Sequence, residues 1–326
     1  MMVLTNQSMK DWLTMEKALE IVEEFFRTYR PGDYVMPRRE MMQLPELDAV
    51  YVLMPSYSHA VGLYTLKLIN EYRRNPELHG LNVASGLILA FNLFTGQVIG
   101  MMDSVYPTAM RTGAIGGVAA KYMSSPESVS VGLLGSGNQA WTQLMAVKTV
   151  RKIESVRIFS PRRESREKIA ARTSSELGLE ASAVDSPREA LEDADIVITA
   201  TNSPNPVLSG EWLDEGAHVT SLGALATRRE LDETTFRRAG KIVADLKESV
   251  LREAGDIMQA ISSGIIRAED VMELHEVVKS GRNIRGDQPE ITIMKSVGFA
   301  SLDLYFASTL FKIAQEKGLG SEINLE

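Results

Sequence analysis

One segment, residues 128–151, constrains the fold of this chain more than any other. An apolar run, SVSVGLLG, leads into a glycine-rich turn, and NQAWTQLMAVKTVR follows it with the composition of a helix. The turn carries the pattern G-x-G-x-x-A in Gly135, Gly137 and Ala140. The first glycine permits a tight turn, the second lets the backbone approach a pyrophosphate, and the small third residue allows close packing of helix on strand. The segment therefore predicts a dinucleotide site, with a merely structural turn as the alternative.

The rest of the chain shows two different sequence patterns, as expected for about two domains in 326 residues. After residue 128, apolar runs alternate with helical segments, which predicts a Rossmann-type, doubly wound parallel sheet. Before it, a helix capped by Thr14 precedes short apolar runs separated by turn residues, which indicates an α+β domain with a largely antiparallel sheet. We predict an α/β protein with an N-terminal domain of residues 1–122, completed by a returning helix in 299–326, and a dinucleotide domain of residues 123–298.

The end of the second parallel strand bears on the choice of cofactor. An acidic residue there would bind the ribose 2′-hydroxyl of NAD. The sequence instead reads Ile158-Phe159-Ser160-Pro161-Arg162-Arg163, with a hydroxyl and two guanidiniums that suit a 2′-phosphate. We predict that Ser160, Arg162 and Arg163 bind NADP(H) in preference to NAD(H). The alternative is that both arginines lie in a solvated loop.

Composition excludes several classes of function. The chain has 35 Lys and Arg against 43 Asp and Glu, a net charge of −8, which argues against nucleic acid or membrane partners. It has no cysteine, which excludes disulfides, thiolate nucleophiles and cysteine-based zinc sites, and its 4 histidines are too far apart to predict a metal site. The opening segment MMVLTNQSMKDW lacks a signal-peptide pattern, and we predict a cytoplasmic protein.

Two cationic residues stand in apolar surroundings. Lys67 ends an otherwise apolar run, and Arg111 lies in a helix rich in small residues, PTAMRTGAIGGVAAKYM. Because an unpaired charge in such a place is costly, each is predicted to have an anionic partner. That partner is either internal, with Asp103 or Glu40 as candidates, or the carboxylate of a substrate. Arg39 adds a third cation in the same part of the chain.

Several stretches together resemble the ornithine cyclodeaminase/mu-crystallin family from end to end. They are GLYTLKLIN, GLILAFNLFTGQVIGMMDSVYPTAMRTGAIGGVAAKY, VGLLGSGNQA, GAHVTSLGA, RRELD and ITIMKSVGFASLDL. The resemblance implies a homodimer formed through an N-terminal substrate domain and a dinucleotide domain inserted before a returning helix. It also implies a hydride step at the α-carbon of an amino or imino acid.

The resemblance also implies roles for individual residues. Arg39, Lys67 and Arg111 would be the catalytic contacts to the carboxylate and the imine of the substrate. The predicted cofactor-binding residues, besides those of the glycine turn and the Ser160 loop, are Asn138, Gln139, Thr112, Thr201, His218, Gly223, Arg228 and Ser296.

One departure from the family pattern narrows the activity. Cyclodeaminases and the archaeal alanine dehydrogenases carry an aspartate in a GADxPGK-like loop, whereas this chain reads Gly223-Ala224-Leu225-Ala226-Thr227-Arg228-Arg229. Mu-crystallin-like ketimine reductases also lack that aspartate. The sequence therefore predicts an NAD(P)H-dependent oxidoreductase that reduces the C=N bond of a cyclic ketimine or α-imino acid.

Three other activities stay open at this point. Within the enzyme class they are ornithine cyclodeaminase, which converts ornithine to proline and ammonia, and alanine dehydrogenase. Outside it, the chain could be a small-ligand carrier in which NADPH only stabilises the fold. The intact Lys67 and Arg111 favour an enzyme.

Overall fold

A computed structural model of the protein describes residues 1–286 and 289–324. The chain divides into two compact units. The first contains Met1–Arg111 and the C-terminal segment that begins at Phe299, and the second contains Thr112–Gly298. The predicted fold class is confirmed, because the first unit is an α+β domain and the second is a doubly wound α/β domain.

The N-terminal part of the first unit is built mainly of strands. Its elements are β1 (Met2–Leu4), α1 (Asn6–Lys10), α2 (Met15–Thr28), β2 (Glu40–Leu44), β3 (Ala49–Ser58), β4 (Leu63–Tyr72), α3 (Asn75–Leu78), β5 (Ala84–Asn92) and β6 (Val98–Asp103). Helix α4 (Val105–Met123) follows. The strand β1 and the short helix α1 were not predicted, because so few residues carry no detectable periodicity.

Helix α2 begins where the sequence predicts. The side chain of Thr14 accepts a hydrogen bond from the backbone N–H of Lys17 at 3.3 Å, which satisfies a donor of the first turn. The helix ends at Thr28, before the Pro31-Gly32 pair. Its buried face includes Ala18, Val22 and Phe25.

Helix α4 runs through the point at which the chain divides. Its C-terminal half packs closely on the helix of the dinucleotide turn: a Cβ on Gly113 would lie 2.5 Å from the carbonyl oxygen of Thr142. The side-chain amide of Gln143 donates to the carbonyl of Thr112 at 2.8 Å. The small residues of this helix therefore serve close packing, and the division falls between Arg111 and Thr112. The sequence-based boundary at residue 122 lies at the end of the same helix.

The second unit alternates strands and helices. Its elements are β7 (Ser130–Leu134), α5 (Asn138–Val150), β8 (Ser155–Phe159), α6 (Arg163–Arg172), β9 (Glu180–Ala183), α7 (Pro187–Leu191), β10 (Ile196–Thr199), β11 (His218–Ser221), α8 (Glu233–Arg238), β12 (Ala239–Ala244), α9 (Lys247–Glu253), α10 (Gly255–Ser262), β13 (Val271–Glu273), α11 (Leu274–Lys279) and β14 (Ile291–Lys295). In the described ranges its strands form one parallel sheet in the order β13-β12-β14-β11-β10-β7-β8-β9.

The strand order of this sheet marks a binding site. From β7 the chain winds outward through β8 to β9 and then returns to place β10 on the other side of β7. Such a reversal opens a crevice at the carboxyl ends of the two central strands, where open α/β sheets bind their ligands. The glycine turn leaves β7 at this point.

The chain ends with α12 (Ala300–Lys317) and β15 (Ser321–Glu322), which belong to the first unit. Helix α12 packs against α2, β3 and β4. The ring of Phe25 on α2 lies 5.4 Å from that of Tyr305 and 5.8 Å from that of Phe299. In the parts of the chain that are described, no helix combines the length and the apolar character needed to cross a membrane.

The sheet of the first unit has two different faces. Within the described residues its strands lie in the order β15-β1-β6-β5-β4-β3-β2, and the neighbours from β2 to β6 pair antiparallel. One register row, Met54–Lys67–Ile88–Met102, is buried on the side of α12. The opposite face, called here the outer face, carries partly exposed apolar residues in adjoining rows: Leu53, Leu66, Leu68, Leu87, Leu89 and Met101.

Candidate active site

Two predicted catalytic cations meet on one carboxylate in the first unit. Lys67, at the centre of β4, is 2% exposed, Arg111 on α4 is 4% exposed, and Asp303 in the first turn of α12 is 3% exposed. The Lys67 ammonium donates to both carboxylate oxygens of Asp303 at 3.2 Å, and Nε of Arg111 donates to Oδ1 at 2.9 Å. These three groups together carry one excess positive charge in a buried site.

The electrostatics of this site alter the acidity of Lys67. The pKa of Lys67 is lowered to about 8: burial is the largest influence, Asp303 opposes it, and the positive charges of Arg111 and Arg39 add to the lowering. Burial alone would raise the pKa of Asp303, but the charges of Arg111 and Lys67 hold it below its ordinary value. Asp303 therefore stays ionised near neutral pH, and Lys67 can gain or lose a proton there.

The internal partner of these cations is not one of the two that the sequence suggested. Asp103 and Glu40 were named as candidates for an internal partner, with a substrate carboxylate as the alternative, but the ion pairs are formed with Asp303. Asp103 instead accepts a hydrogen bond from the backbone N–H of Val105 at 2.8 Å, at the start of α4. Its strand neighbour Met102 shares the register row of Lys67, so alternation turns Asp103 to the other face of the sheet.

In the second unit, the glycine turn has the geometry that a pyrophosphate requires. Gly135 has φ +125°, and a Cβ there would lie 2.3 Å from the carbonyl oxygen of Ala200. Gly137 is the N-cap of α5, and a Cβ on it would meet no atom within 4 Å. The turn thus leaves open space at a helix N-terminus, where backbone N–H groups favour an anion. Asn138 is exposed beside it, and Ala140 is buried.

Two buried polar atoms also fit a bound dinucleotide. Oγ1 of Thr112 and Oε1 of Gln139 are buried and have no hydrogen-bond partner among the described residues. Buried polar groups are rarely left in this state, and a polar ligand is one way to satisfy them. The residues present at this turn therefore fit the predicted cofactor.

The loop after β8 brings the three predicted selectivity residues to the same carboxyl edge. Ser160 is buried, and its hydroxyl accepts a hydrogen bond from that of Ser136 in the glycine turn at 3.0 Å. Arg162 is exposed, and Arg163 pairs with Glu167 at 2.7 Å. Arg166, which the sequence analysis missed, donates to the carbonyl of Ser160 and pairs with Asp185.

Glu230 organises the loops that follow β10 and β11. It is fully buried, and its carboxylate accepts hydrogen bonds from both ends of this region: from Thr199, Thr201, Ser221, Leu222 and Gly223. The backbone N–H groups of Thr201 and Gly223 each lie 2.6 Å from it. These two predicted cofactor residues are therefore held in place at the carboxyl edge by a carboxylate beneath them.

Two more buried carboxylates support the same edge of the sheet. Ser296, a predicted cofactor residue, follows β14, and its hydroxyl donates to Asp245 at 2.7 Å. Lys295 and Asp256 form a fully buried ion pair at 2.7 Å, and the Lys295 ammonium also donates to Ser221 at 2.8 Å. Ser296 thus contributes to a rigid support, and its side chain is already bonded within the protein.

His218 does not lie where the sequence analysis predicted. It was expected near the cofactor, but it is the first residue of β11 and lies at the amino edge of the sheet, level with Val131 at the other end of β7 from the glycine turn. It is fully buried and hydrogen-bonded to the hydroxyls of Thr292 and Thr220. Burial lowers its pKa to about 3, so it is a neutral core residue.

The loop that lacks the family aspartate, residues 223–229, contains no carboxylate of its own. It runs from Gly223 to Arg229, and Leu225 adopts φ +103°, a left-handed conformation unusual for leucine. The N–H of predicted cofactor residue Arg228 closes this turn by donating to the carbonyl of Leu225 at 3.0 Å. Glu230, next in the chain, is turned inward, and Asp232 caps α8 by accepting from Thr235.

Six buried ionic residues of these sites were absent from the predicted set: Arg166, Glu230, Asp245, Asp256, Lys295 and Asp303. Asp303 and Glu230 lie in the stretches SLDL and RRELD, which were noted only as parts of longer matches. Arg166 shares the buried face of α6 with Ile169, Ala170 and Thr173, at helical spacing. A charged residue at an apolar-face position is the signal that could have identified Arg166.

The model of the ornithine cyclodeaminase/mu-crystallin family matches residues 1–318. The alanine dehydrogenase of Archaeoglobus fulgidus is 33% identical over 324 residues, covering 99% of this chain and 98% of that protein.

Two solved structures are similar over the whole chain. The Thermococcus litoralis Δ1-pyrroline-2-carboxylate reductase, in complex with NADH and L-proline, is 35% identical with a TM-score of 0.93, covering 99% of this chain and 100% of that one. An archaeal alanine dehydrogenase dimer with bound NAD is 33% identical with a TM-score of 0.89, covering 100% and 99%.

Proposed function

Since this chain belongs to the ornithine cyclodeaminase/mu-crystallin family, we propose that it is an NAD(P)H-dependent oxidoreductase of imino acids. Its substrate is a cyclic ketimine or an α-imino acid, in which the C=N bond stands next to a carboxylate. The similar Thermococcus litoralis enzyme is named for such a substrate, Δ1-pyrroline-2-carboxylate.

The observation that carries this proposal is the buried contact of Lys67 and Arg111 with Asp303. The excess positive charge of the three groups suits an anionic substrate, and a guanidinium is well shaped to bind a carboxylate. An ammonium group with a pKa of about 8 is a suitable proton donor near neutral pH. One cluster thus contains a guanidinium that can bind the carboxylate of an imino acid and an ammonium that can donate a proton to its nitrogen.

In the proposed reaction Arg111 and Arg39 bind the substrate carboxylate and so orient the C=N bond. A bound dihydronicotinamide would be the source of the hydride, with its electron pair, for the imine carbon. The C=N π bond breaks toward nitrogen, and Lys67 donates the proton that completes the N–H bond. Solvent then restores the proton of Lys67, and the product is a secondary or primary amino acid.

The loop of residues 223–229 favours imine reduction over ornithine cyclisation. It contains no carboxylate that could hold an α-ammonium group or take its proton. Glu230 cannot replace it, because its oxygens are already hydrogen-bonded to the loops above. An imine needs no such counter-ion, whereas ornithine and alanine do.

A substrate panel tests the proposal. Purified protein with NADPH or NADH should lose absorbance at 340 nm with pyrroline- or piperideine-2-carboxylate. It should form no proline or ammonia from ornithine. Ligand binding without turnover would instead favour the carrier, and proline formation from ornithine would favour the cyclodeaminase.

The cofactor preference is a prediction of its own. Because residues 160–163, directly after β8, contain no carboxylate and Arg162 is exposed there, NADPH should bind about tenfold more tightly than NADH, a difference of about 1.4 kcal/mol. Arg162→Ala should weaken NADPH binding and leave NADH binding nearly unchanged. Titration of each cofactor by fluorescence measures both.

Arg267→Ala is the control for that substitution, because it removes an equal charge from an exposed residue that precedes β13. It should leave both dissociation constants as they are. Equal affinity of the unmodified protein for NADPH and NADH would refute the preference.

We also propose that the protein is a homodimer formed through the outer face of the first unit. That face carries adjoining apolar rows that remain partly exposed, whereas the face toward α12 is buried. Exposed apolar area of this kind is typical of a subunit interface. Light scattering should give about twice the mass of 36.0 kDa.

Leu87→Glu tests the location of the interface. Leu87 is 41% exposed in the middle of the outer face, so a charge there should be tolerated in the monomer and should break the dimer. Leu78→Glu is the control, because Leu78 is 55% exposed on α3, away from the strands. A Leu87→Glu protein that remains a dimer would place the interface elsewhere.

A further inference from the structure

The buried carboxylate of Asp303 has no role in the reaction as described so far. It comes from α12, 236 residues from Lys67 in sequence and 192 from Arg111, and yet it contacts both. Two cations so close to each other repel, and burial strengthens that repulsion. Without an anion between them, the ammonium would be driven to lose its proton or to move away.

The location of Asp303 suits a carboxylate that must stay ionised. It lies in the first turn of α12, where the positive end of the helix dipole stabilises an anion. Its Oδ1 accepts hydrogen bonds from both Lys67 and Arg111, and its Oδ2 accepts one from Lys67. Asp303 thereby holds Lys67 of β4 and Arg111 of α4 at fixed positions against helix α12.

We propose that Asp303 is the positioning residue of this site, and that it holds Lys67 charged and aimed while Arg111 receives the substrate carboxylate. This role in catalysis rests on the proposed function, whereas the contacts of Asp303 with Lys67 and Arg111 do not depend on it. In the proposed reaction Asp303 contacts neither the imine nor the cofactor, and it acts through Lys67 and Arg111.

The charged groups that face Lys67 determine what removing Asp303 should do. They are Asp303 from α12, Arg111 from α4, and Arg39 from the segment before β2. Of these, Asp303 supports the protonated form of Lys67, and both arginines oppose it. Of these three groups, Asp303→Asn leaves the two arginines facing the buried ammonium, and its proton should be lost at lower pH.

The experiment follows the lysine directly, by NMR of protein labelled with ¹³C at lysine Cε. The signal of Lys67 is assigned as the one missing from Lys67→Met. It should titrate near pH 8 in the unmodified protein and about one pH unit or more lower in Asp303→Asn. Asp48→Asn removes one exposed carboxylate of the same unit and should leave the midpoint unchanged.

The same variants are then assayed for imine reduction. The pH above which kcat/KM falls should move down in Asp303→Asn by the same amount as the NMR midpoint. A loss of rate that is equal at every pH, with no change in the midpoint, would overturn the proposal. A shifted midpoint in a protein that reduces no imine would support the positioning role while refuting the proposed function.

If Asp303→Asn does not fold, Asp303→Glu carries the test. It keeps the negative charge but moves it by one methylene, so the midpoint of Lys67 should stay near its original value. The kcat should fall by about tenfold or more, because the ammonium is displaced from the position in which it can donate a proton to the imine nitrogen. A kcat and KM equal to those of the unmodified protein would overturn the proposal.

Discussion

Replacement of Lys67 by methionine should lower kcat for imine reduction by about 10²–10⁴-fold, the usual contribution of a positioned proton donor. Methionine fills most of the volume of the lysine stem, and the pair of Asp303 with Arg111 remains, so the fold should survive. Cofactor affinity should be unchanged, because the cofactor-binding turn belongs to the second unit. Stopped-flow and steady-state rates, together with NADPH titration, measure these effects.

Lys67→Arg separates proton donation from charge. A guanidinium keeps the positive charge but does not release its proton, since its pKa lies far above the pH of the assay. Turnover should therefore stay low in this variant as well. Restored turnover would show that Lys67 acts only as a charge, and would remove the proton-donor role from the proposed reaction.

A second large effect is expected at the glycine turn. Gly135→Ala places a side chain in a left-handed conformation and 2.3 Å from the carbonyl oxygen of Ala200, which the backbone must relieve. Strain and overpacking of this kind cost about 2–5 kcal/mol. Chemical denaturation should show that loss, accompanied by loss of cofactor binding.

Gly137→Ala is its matched partner. Gly137 has an ordinary φ of −87°, and a Cβ there meets open space, so stability should hardly change. The added methyl would nonetheless occupy the path by which a pyrophosphate reaches α5, and NADPH binding should weaken. Equal stability losses in the two variants, or unchanged cofactor affinity in Gly137→Ala, would contradict the proposed use of this turn.

The pH dependence of the reaction follows from the same lysine. Lys67 must be protonated to donate, and its pKa lies at about 8, so imine reduction should slow as the pH rises through that value. Oxidation of the amino acid needs the neutral amine and should become faster over the same range. A reductive rate that does not fall between pH 7 and pH 9, a range of about one unit around that pKa, would contradict this assignment.

Features that depend on neighbouring residues could be predicted from the sequence. The Thr14 cap, the strands β3 to β6 and the glycine turn each depend on a few adjacent side chains, and each lies where it was predicted. The burial of Lys67 and Arg111 was also foreseen, because both stand in apolar runs.

The partner of these cations could not be predicted, because no periodicity links residues 236 positions apart. Asp103 and Glu40 were chosen for nearness in sequence, and alternation along β6 turns Asp103 away from the site. His218 was assigned to the cofactor site by resemblance alone. A resemblance aligns a residue with a position in the sequence, but it does not show at which end of a strand that residue lies. Its place at the amino edge follows from the register of β11 with β10.

The central claim is that hydride is added to the α-carbon of an imino acid while Lys67 supplies the proton. Its most direct test incubates the protein with Δ1-pyrroline-2-carboxylate and NADPH deuterated at both C4 positions, and analyses the product by mass spectrometry and NMR. We expect proline that carries one deuterium, located at Cα, and we expect Lys67→Met to form it about 10²–10⁴-fold more slowly. Oxidation of NADPH without deuterated proline, or proline and ammonia formed from ornithine under the same conditions, would contradict it.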